Sequence, residues 1–551
     1  MHGLISDRPL MISSLLEHAA RYHGKTEIIS ADSKDKITRS NYENVNIRSK
    51  KLAQALIKLG AKKGDTIATM AWSNLRHYEL YFGVSGIGSI CHTINPRLFP
   101  EQLVFIINDA KDKFLFIDID FIPLIEKLMD KISTIEKIIV LCDKENMPES
   151  DIIKNLISYE ELINNENGDF DWPIFEEKTA SSLCYTSGTT GNPKGVLYAH
   201  RSTVIHAFAA AAPDAMNLSA RDVIMPIAPM FHANAWAIPY VTTMIGAKLV
   251  LPGRHLDGES VQSLIENEKV TFTAAVPTIW LMLFEYLEQS GKKLESLKSC
   301  VVGGSACPRF MMEKFYEKYG VEVLHCWGMT ETSPIGTINR PLSKHAGQSF
   351  SERLDVAVKQ GRPVYGVEIK ITDESGITLP NNGKDFGNLW IRGPWICSGY
   401  LNIENSETHG EDDWFMTGDV ATIDEDGFMQ ITDRTKDVIK SGGEWISSIE
   451  IENFAVGHPS VMEAGVIGVF HPKWDERPLL IIVKNENAEV SKEEILEFLK
   501  DKIVSWWMPD DVVFVDSLPH TATGKIQKLA LREQFKAVSY THLTLPTKRI
   551  V

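Results

Sequence analysis

The chain has 551 residues, of which 44% are hydrophobic and 24% charged, and its formal net charge is −16 at pH 7. This length allows roughly three or four folding units, each with its own core. The acidic balance disfavours a general role on nucleic acids or anionic membrane surfaces, although a local basic site could still hold an anionic ligand. No window reaches the ~18–20 uninterrupted apolar residues that a membrane-spanning helix needs.

The seven cysteines are scattered, and none is spaced as CxxC. This pattern disfavours a disulfide framework or a zinc site and fits a reducing compartment. The N-terminal segment lacks the basic start, the long apolar run and the cleavage site of a signal peptide. We therefore expect a cytoplasmic protein without membrane insertion.

Short apolar segments alternate with helical patterns along most of the chain. Helical spacing covers residues 13–59 on both sides of a short strand, TEIIS, and a buried strand with its following helix covers residues 65–88. Further buried strands are predicted at KFLFIDID, KIIVLC, DVIMPIAP, AKLVLP, VTFTAAVP and KSCVVGGSA. This alternation predicts two doubly wound α/β subdomains with parallel sheets.

The pattern changes after Gly361 to short alternating strands with turn residues, which predict a small antiparallel β unit. After Asp433 a new α+β pattern begins and is long enough for a small separate domain. We therefore predict an α/β fold with a large N-terminal domain over residues 1–434 and a small, mobile α+β C-terminal domain over residues 435–537. The Thr-rich, aperiodic segment 538–551 is interpreted as a non-native tail.

The strongest local signal is the run YTSGTTGNPKG, residues 185–195, directly after the strand-like SSLCY. Closely spaced Gly, Ser and Thr residues offer backbone N–H groups and hydroxyls to phosphate oxygens, and Lys194 adds a positive charge. The spacing does not match the P-loop of NTPases. Composition alone leaves a flexible surface loop as the alternative.

This run resembles the signature loop of the adenylate-forming superfamily, which contains acyl-CoA synthetases, luciferases and peptide-synthetase adenylation domains. Five further motifs of that superfamily follow in order: GGSACP, CWGMTETSP, WFMTGDVA, ITDRTKDVIKSGGEWIS and PHTATGK. The sequence is most similar to 3-methylmercaptopropionate–CoA ligases and to medium- and long-chain fatty acid–CoA ligases. The resemblance, which covers residues 13–535, implies an ATP-dependent, AMP-forming acid–CoA ligase that uses Mg²⁺ and coenzyme A.

The resemblance also implies roles in the ATP site. Glu331 would bind Mg²⁺, and Thr330 would contact the α-phosphate. Asp419 would accept hydrogen bonds from both ribose hydroxyls, and Arg434 would donate a hydrogen bond to the ribose or phosphate. Trp327 would stack on the adenine, at a position that more often holds Tyr. The remaining nucleotide contacts would come from Thr186, Ser187, Gly188, Thr189, Thr190, Gly191, Lys194, Gly304, Ser305, Ala306, Gly328 and Met329.

The C-terminal domain would serve both half-reactions in such a ligase. Lys525 would stabilise the charge that develops between the carboxylate and the α-phosphate. Lys436 would be the hinge about which the domain rotates before thioester formation. The rotated face would line the CoA tunnel or meet the CoA nucleotide with Lys440, Gly442, Gly443, Trp445, Lys473, Trp474 and Arg477.

The segment PMFHANAW matches the border of the acyl pocket in fatty acid–CoA ligases. His232 would align the acid or shield the adenylate, and Trp236 would act as a gate; each could instead be an ordinary core residue. The resemblance favours a short- or medium-chain acid, with 3-methylmercaptopropionate first, as in dimethylsulfoniopropionate degradation, and short or medium fatty acids next. Homodimers are common in the superfamily, so a homodimer is one expectation for this chain.

Three other functions remain open at this point. An adenylation enzyme could load a carrier protein, but no carrier-like segment follows Lys525, and GGEWIS matches the CoA-ligase form. A luciferase-like oxygenase shares the fold and the adenylation step, but the pocket motif disfavours it. A non-catalytic nucleotide-binding module is disfavoured because Glu331, Asp419, Lys436 and Lys525 are all retained.

Overall fold

The computed structural model describes residues 3–34, 36–186, 192–404, 406–442, 444–486, 488–521 and 525–536. The segment interpreted as a non-native tail lies outside these residues. In the first third of the chain the helices and strands are α1 (Ile12–His23), β1 (Glu27–Ser33), β2 (Lys36–Asn41), α2 (Tyr42–Lys58), β3 (Thr66–Met70), α3 (Leu75–Gly86), β4 (Ile90–Thr93), α4 (Pro100–Asp109), β5 (Phe114–Ile117), α5 (Ile122–Glu126), β6 (Lys137–Val140), β7 (Ile157–Ser158), α6 (Tyr159–Asn164), β8 (Ala180–Tyr185) and β9 (Gly195–Ala199).

The middle of the chain continues the α/β alternation. Its elements are α7 (His200–Ala211), β10 (Val223–Pro226), the short turn α8 (Ala233–Trp236), α9 (Ile238–Ile245), β11 (Lys248–Leu251), α10 (Gly258–Glu268), β12 (Phe272–Ala275), α11 (Pro277–Ser290), β13 (Ser299–Val302), α12 (Arg309–Tyr319), β14 (Glu322–Gly328), β15 (Ile335–Ile338), α13 (Phe350–Ala357) and β16 (Arg362–Pro363).

The last third consists of two smaller sheets and their helices. Its elements are β17 (Glu368–Thr372), β18 (Gly387–Arg392), β19 (Phe415–Ile423), β20 (Met429–Arg434), β21 (Ile439–Ser441), β22 (Glu444–Ile446), α14 (Ser448–Val456), β23 (Val461–His471), β24 (Asp475–Lys484), α15 (Lys492–Lys500), β25 (Asp511–Val515) and α16 (Lys528–Phe535).

Two large sheets form the body of the N-terminal region. One has the strand order β7-β6-β5-β3-β4-β8-β9, and the other has β16-β15-β14-β13-β12-β10-β11-β1-β2. The central pairs are parallel, and antiparallel strands occur only towards the edges. Strands β3 and β5 are buried at every position, which is typical of parallel strands covered by helices on both faces. The predicted pair of α/β subdomains is confirmed.

The hairpin β1–β2 joins the second sheet, although the chain then goes on to build the first. Its strand β1 runs parallel to β11, with Ile28 opposite Leu249. The side chains of β1 are mostly buried, so the sheet gains two strands and a covered edge from the N-terminal segment.

The antiparallel sheet β17-β18-β19-β20 follows, as predicted for the segment after Gly361. The last sheet has the order β22-β21-β24-β23, with β25 parallel to β24, and α14 and α15 cover its core. Helix α15 begins at a capping box in which Ser491 and Glu494 bond each other's backbone N–H groups. Among the described residues, no helix combines the length and apolarity required to cross a bilayer.

Candidate active site

The run YTSGTTGNPKG, residues 185–195, is called the phosphate loop below. It connects β8 to β9, which pair as an antiparallel hairpin with Tyr185 opposite Gly195. Its neck is closed because the N–H of Thr186 donates to the carbonyl of Lys194 at 3.0 Å, and the N–H of Lys194 donates to Oγ1 of Thr186 at 3.0 Å. The motif residues Ser187, Gly188, Thr189, Thr190 and Gly191 lie outside the described residues.

Glu331 and Thr330 lie in a short 3₁₀ turn, Thr330–Thr332, that follows β14. Glu331 is only 5% exposed, and the hydroxyl of Tyr400 donates to its Oε1 at 2.8 Å. Burial raises the pKa of the Glu331 carboxyl, and the bond from Tyr400 opposes that rise. The carbonyl of Thr330 accepts a hydrogen bond from the hydroxyl of Tyr198 at 2.6 Å, so both site residues are held by tyrosines.

A magnesium ion would fit beside Glu331. A buried carboxylate with raised pKa is stabilised by a nearby cation, and Mg²⁺ prefers one or two carboxylates together with phosphate oxygens. Within the described parts of the chain, no group of three or more His, Cys, Asp or Glu residues could hold a metal ion. At this site Glu331 would hold the ion together with oxygens of a bound phosphate, as the ligand preference of Mg²⁺ indicates.

Asp419 and Arg434 lie opposite each other in the antiparallel pair β19–β20. Nε of Arg434 contacts Oδ1 of Asp419 at 2.9 Å, and the indole nitrogen of Trp327 donates to Oδ2 at 3.0 Å. Asp419 is 3% exposed, so its carboxylate is fixed in orientation by two donors. Gly328 follows Trp327, and a Cβ there would lie 1.7 Å from the carbonyl oxygen of Pro334, which leaves room only for glycine.

The segment containing His232 and Trp236 runs alongside the residues after β13. Trp236 is 8% exposed, and its indole packs against Gly303 and Gly304. Gly304, Ser305 and Ala306 come after β13 and Gly303, and Gly304 has φ +81°. Burial and the neighbouring charge of Lys525 lower the pKa of His232 to about 4, so this imidazole is neutral at pH 7.

Lys525 reaches this group of residues from the C-terminal region. Burial lowers the pKa of its ammonium to about 8, and the positive charge of Arg434 adds to the lowering, while Asp419 and Glu331 oppose it. Lys525 also helps to lower the pKa of His232. Five predicted site residues from separate motifs therefore interact electrostatically, and two of them, Arg434 and Asp419, are in direct contact.

Lys440 and Gly442, which are predicted to line the CoA tunnel, make contacts with residues outside this group. Nζ of Lys440 contacts Oε1 of Glu374 at 3.0 Å and lies 5.7 Å from the ring centre of Trp445. Gly442 has φ +60°, and its N–H donates to the carbonyl of Trp474 at 2.7 Å. Lys436 follows β20 and is exposed, whereas Gly443 lies outside the described residues.

Arg477 has a different role from the one considered above. Its guanidinium donates to Asp510 at 2.9 Å, to the carbonyl of Trp506 at 2.8 Å and to that of Met508 at 2.9 Å. The residue is only 8% exposed. Its hydrogen bonds are directed into its own domain, and it is not free to meet a nucleotide.

Sequence reasoning missed Tyr400, Tyr198 and Asn234. The first two hold Glu331 and Thr330 through their hydroxyls, and Asn234 anchors the turn that carries Trp236. Tyr400 lies in the loop sequence GYLN, where an aromatic residue beside glycine was the only available signal. Asn234 lies inside the segment PMFHANAW, but nothing in its sequence distinguishes it from an exposed turn residue.

Comparison with known proteins shows the family of the chain. The sequence profile of the family described as AMP-binding enzyme matches residues 15–401, and that of the AMP-binding enzyme C-terminal domain matches residues 450–525. A 3-methylmercaptopropionyl-CoA ligase of Ruegeria lacuscaerulensis is 52% identical over 536 residues, which cover 97% of this chain and 99% of that protein. A medium-chain-fatty-acid–CoA ligase of Ectopseudomonas oleovorans is 50% identical over 535 residues, which cover 97% and 98%. The crystal structure of the anthranilate CoA ligase AuaEII with anthranoyl-AMP is similar at a TM-score of 0.86 and 27% identity, covering 97% of this chain and 99% of that one.

Proposed function

We propose, since the chain belongs to the AMP-binding enzyme family, that it is an AMP-forming acid–CoA ligase. It converts a small carboxylic acid and ATP to an acyl-adenylate and pyrophosphate, and it then transfers the acyl group to the thiol of CoA with release of AMP. The observation that carries the proposal is the buried carboxylate of Asp419, which Arg434 contacts at 2.9 Å and the indole nitrogen of Trp327 at 3.0 Å. CoA ligases 52% and 50% identical over 97% of the chain support the same reaction.

In the first half-reaction an oxygen of the substrate carboxylate attacks the α-phosphorus, and the bond to the β-phosphate oxygen breaks. Lys194 and the phosphate loop neutralise the leaving pyrophosphate, and Thr330 contacts the α-phosphate. Bound at Glu331, Mg²⁺ would supply charge neutralisation on the phosphates. Lys525 strengthens its contact as negative charge builds between carboxylate and phosphate, which is the form of binding that accelerates a reaction.

The nucleoside is held by the group around Asp419. Its carboxylate accepts hydrogen bonds from the ribose hydroxyls, and Arg434 donates another to the ribose or phosphate. The adenine lies between Trp327 and residues Gly304–Ala306. The burial of Asp419 and its two fixed donors support this assignment, because a pre-oriented carboxylate loses little freedom on binding.

The acid we propose first is 3-methylmercaptopropionate, followed by short and medium fatty acids. Support comes from the activities for which the two relatives above are named; they differ in their acids and are 52% and 50% identical to this chain. Overlapping substrates are expected physically, because a hydrophobic pocket distinguishes one methylene by only ~1–3 kcal/mol. His232, which is neutral at pH 7, and Trp236 border the pocket in this proposal.

For the second half-reaction we propose that the C-terminal domain, residues 435–537, rotates about Lys436. The rotation removes Lys525 and brings Lys440, Gly442, Gly443 and Trp445 to the CoA tunnel. The ring of Trp474 packs at 5.4 Å against that of Trp506, and Nζ of Lys473 lies 4.4 Å from the ring centre of Trp474. Such a cationic and aromatic surface suits the CoA nucleotide.

We also propose the location and the oligomeric state of the protein. A cytoplasmic location fits the seven cysteines, all of which are free thiols. A homodimer is also proposed, by analogy with the superfamily, and light scattering at two protein concentrations would test it.

Product analysis tests the proposed function directly. The purified chain is incubated with Mg-ATP, CoA and one acid at a time: 3-methylmercaptopropionate, butyrate, hexanoate, octanoate or palmitate. Equal amounts of AMP, pyrophosphate and acyl-CoA are expected, with the highest kcat/KM for one of the shorter acids. Adenylate formation without thioester would instead indicate a carrier protein as the acceptor, and no pyrophosphate with any acid would refute the ligase function.

A further inference from the structure

Tyr400 lies between two charged groups of the site. Its hydroxyl donates to Oε1 of Glu331 at 2.8 Å, and Nζ of Lys194 lies 4.8 Å from the centre of its ring. The residue is 8% exposed. One buried aromatic side chain therefore contacts both the carboxylate assigned to Mg²⁺ and the ammonium assigned to the triphosphate.

The two residues that follow Tyr400 hold the base of the phosphate loop. The N–H of Leu401 donates to the carbonyl of Gly195 at 2.8 Å, and the side-chain amide of Asn402 donates to the carbonyl of Asp109 at 2.9 Å. Oδ2 of Asp109 accepts a hydrogen bond from the hydroxyl of Tyr185 at 2.6 Å. Tyr185 and Gly195 flank the loop, so the segment carrying Tyr400 is tied to both ends of it.

We propose that Tyr400 is a positioning residue that couples metal binding at Glu331 to triphosphate binding at Lys194. This inference rests on the proposed function, because it takes Glu331 as the ligand of Mg²⁺. The hydroxyl of Tyr400 orients the carboxylate of Glu331, and the ring of Tyr400 holds the ammonium of Lys194 over its face. Removing a partner that orients a metal-binding group typically costs about 10–100-fold in metal affinity.

Two substitutions separate the hydroxyl from the ring. Tyr400→Phe removes only the bond to Glu331, whereas Tyr400→Leu also removes the contact with Lys194. Calorimetry without acid or CoA gives the Kd for ATP in excess Mg²⁺ and in EDTA. Tyr400→Phe is expected to weaken Mg-ATP binding by about tenfold and to leave binding of metal-free ATP unchanged. Tyr400→Leu is expected to weaken both.

A matched control comes from the first subdomain. The hydroxyl of Tyr159 donates to Oε2 of the buried Glu79 at 2.6 Å. Tyr159→Phe removes a bond of the same kind between two residues that are not part of the proposed nucleotide site, so it should lower the Tm and leave both Kd values unchanged. In a Glu331→Gln background, Tyr400→Phe should add no further loss of Mg-ATP affinity.

Several outcomes overturn the proposal. One is that Tyr400→Phe weakens ATP binding equally with and without Mg²⁺, and another is that it changes neither Kd. A third is that the wild-type protein binds Mg-ATP and metal-free ATP equally well. An additional loss in the Glu331→Gln background would also overturn it. Because these are binding measurements, absence of acyl-CoA from every acid would refute the ligase function while leaving this comparison interpretable.

Discussion

The indole nitrogen of Trp327 donates a hydrogen bond to Oδ2 of Asp419 at 3.0 Å. Arg434 contacts the other carboxylate oxygen from the neighbouring strand. An aromatic residue at this position was expected only to stack on the adenine. Tyrosine and tryptophan both stack, but here the indole N–H also fixes the carboxylate proposed to bind the ribose.

Trp327→Phe tests that second role because it keeps an aromatic face and removes the donor. A hydrogen bond to a charged group contributes about 1.5–3 kcal/mol, so the KM for ATP is expected to rise by about tenfold or more. The preference among acids should stay unchanged. Trp390→Phe is the control, since that indole donates to Oγ1 of Thr372 at 3.0 Å, outside the proposed site. Equal KM values for ATP in the two variants would contradict the role given to Trp327.

Lys525→Ala should separate the two half-reactions. Adenylate formation from acid and ATP is expected to fall by at least about 100-fold, because the variant lacks the charge that stabilises the transition state. Thioester formation from supplied acyl-adenylate and CoA should be largely retained. Rapid-quench measurement of each half-reaction gives both rates. Lys500→Ala, at an exposed lysine whose ammonium contacts Glu497 at 3.1 Å, controls for loss of a surface charge. Equal losses in both half-reactions would refute the assignment.

The pH dependence of adenylation should report the same lysine. Burial lowers the pKa of Lys525 to about 8, so the ammonium is charged below that pH and neutral above it. We expect kcat/KM for ATP, which reflects the free enzyme, to decrease as pH rises through about 8. Lys525→Arg should lower the rate but remove this decrease, because guanidinium stays protonated. A decrease that persists in Lys525→Arg would assign it to another group.

The sequence predicted the two α/β subdomains because buried parallel strands such as FLFI form continuous apolar runs that a local pattern reveals. It did not predict the pairing of β1 with β11, because Ile28 and Leu249 are far apart in the chain and a parallel pair leaves no turn signal between its strands. In the candidate site the motifs indicated groups that are proposed to act on a ligand. Tyr400 was not predicted, because its proposed function depends on a bond to Glu331 that only the folded chain creates.

The turn that carries Trp236 has a strained backbone. All residues from Ala233 to Ala237 have φ between 37° and 57°, and a left-handed backbone costs residues other than glycine roughly 1–2 kcal/mol each. Tertiary contacts must offset that cost. Asn234 provides them, because its amide donates to Oγ of Ser182 at 2.8 Å and its carbonyl oxygen accepts from Oγ1 of Thr93 at 3.2 Å.

Asn234→Ala should therefore lower the Tm and also relax selection among acids, because Trp236 loses its fixed place against Gly303. Loss of buried hydrogen bonds costs about 1–3 kcal/mol of stability. The kcat/KM values for butyrate, hexanoate, octanoate and palmitate should differ less from one another than in the wild type, as they should in Trp236→Ala. Asn339→Ala is the control, since that buried amide donates to two backbone carbonyls outside the acyl region. It should lower the Tm without changing the acid profile. If Asn234→Ala behaves in the same way, the anchor stabilises the fold but does not set the pocket.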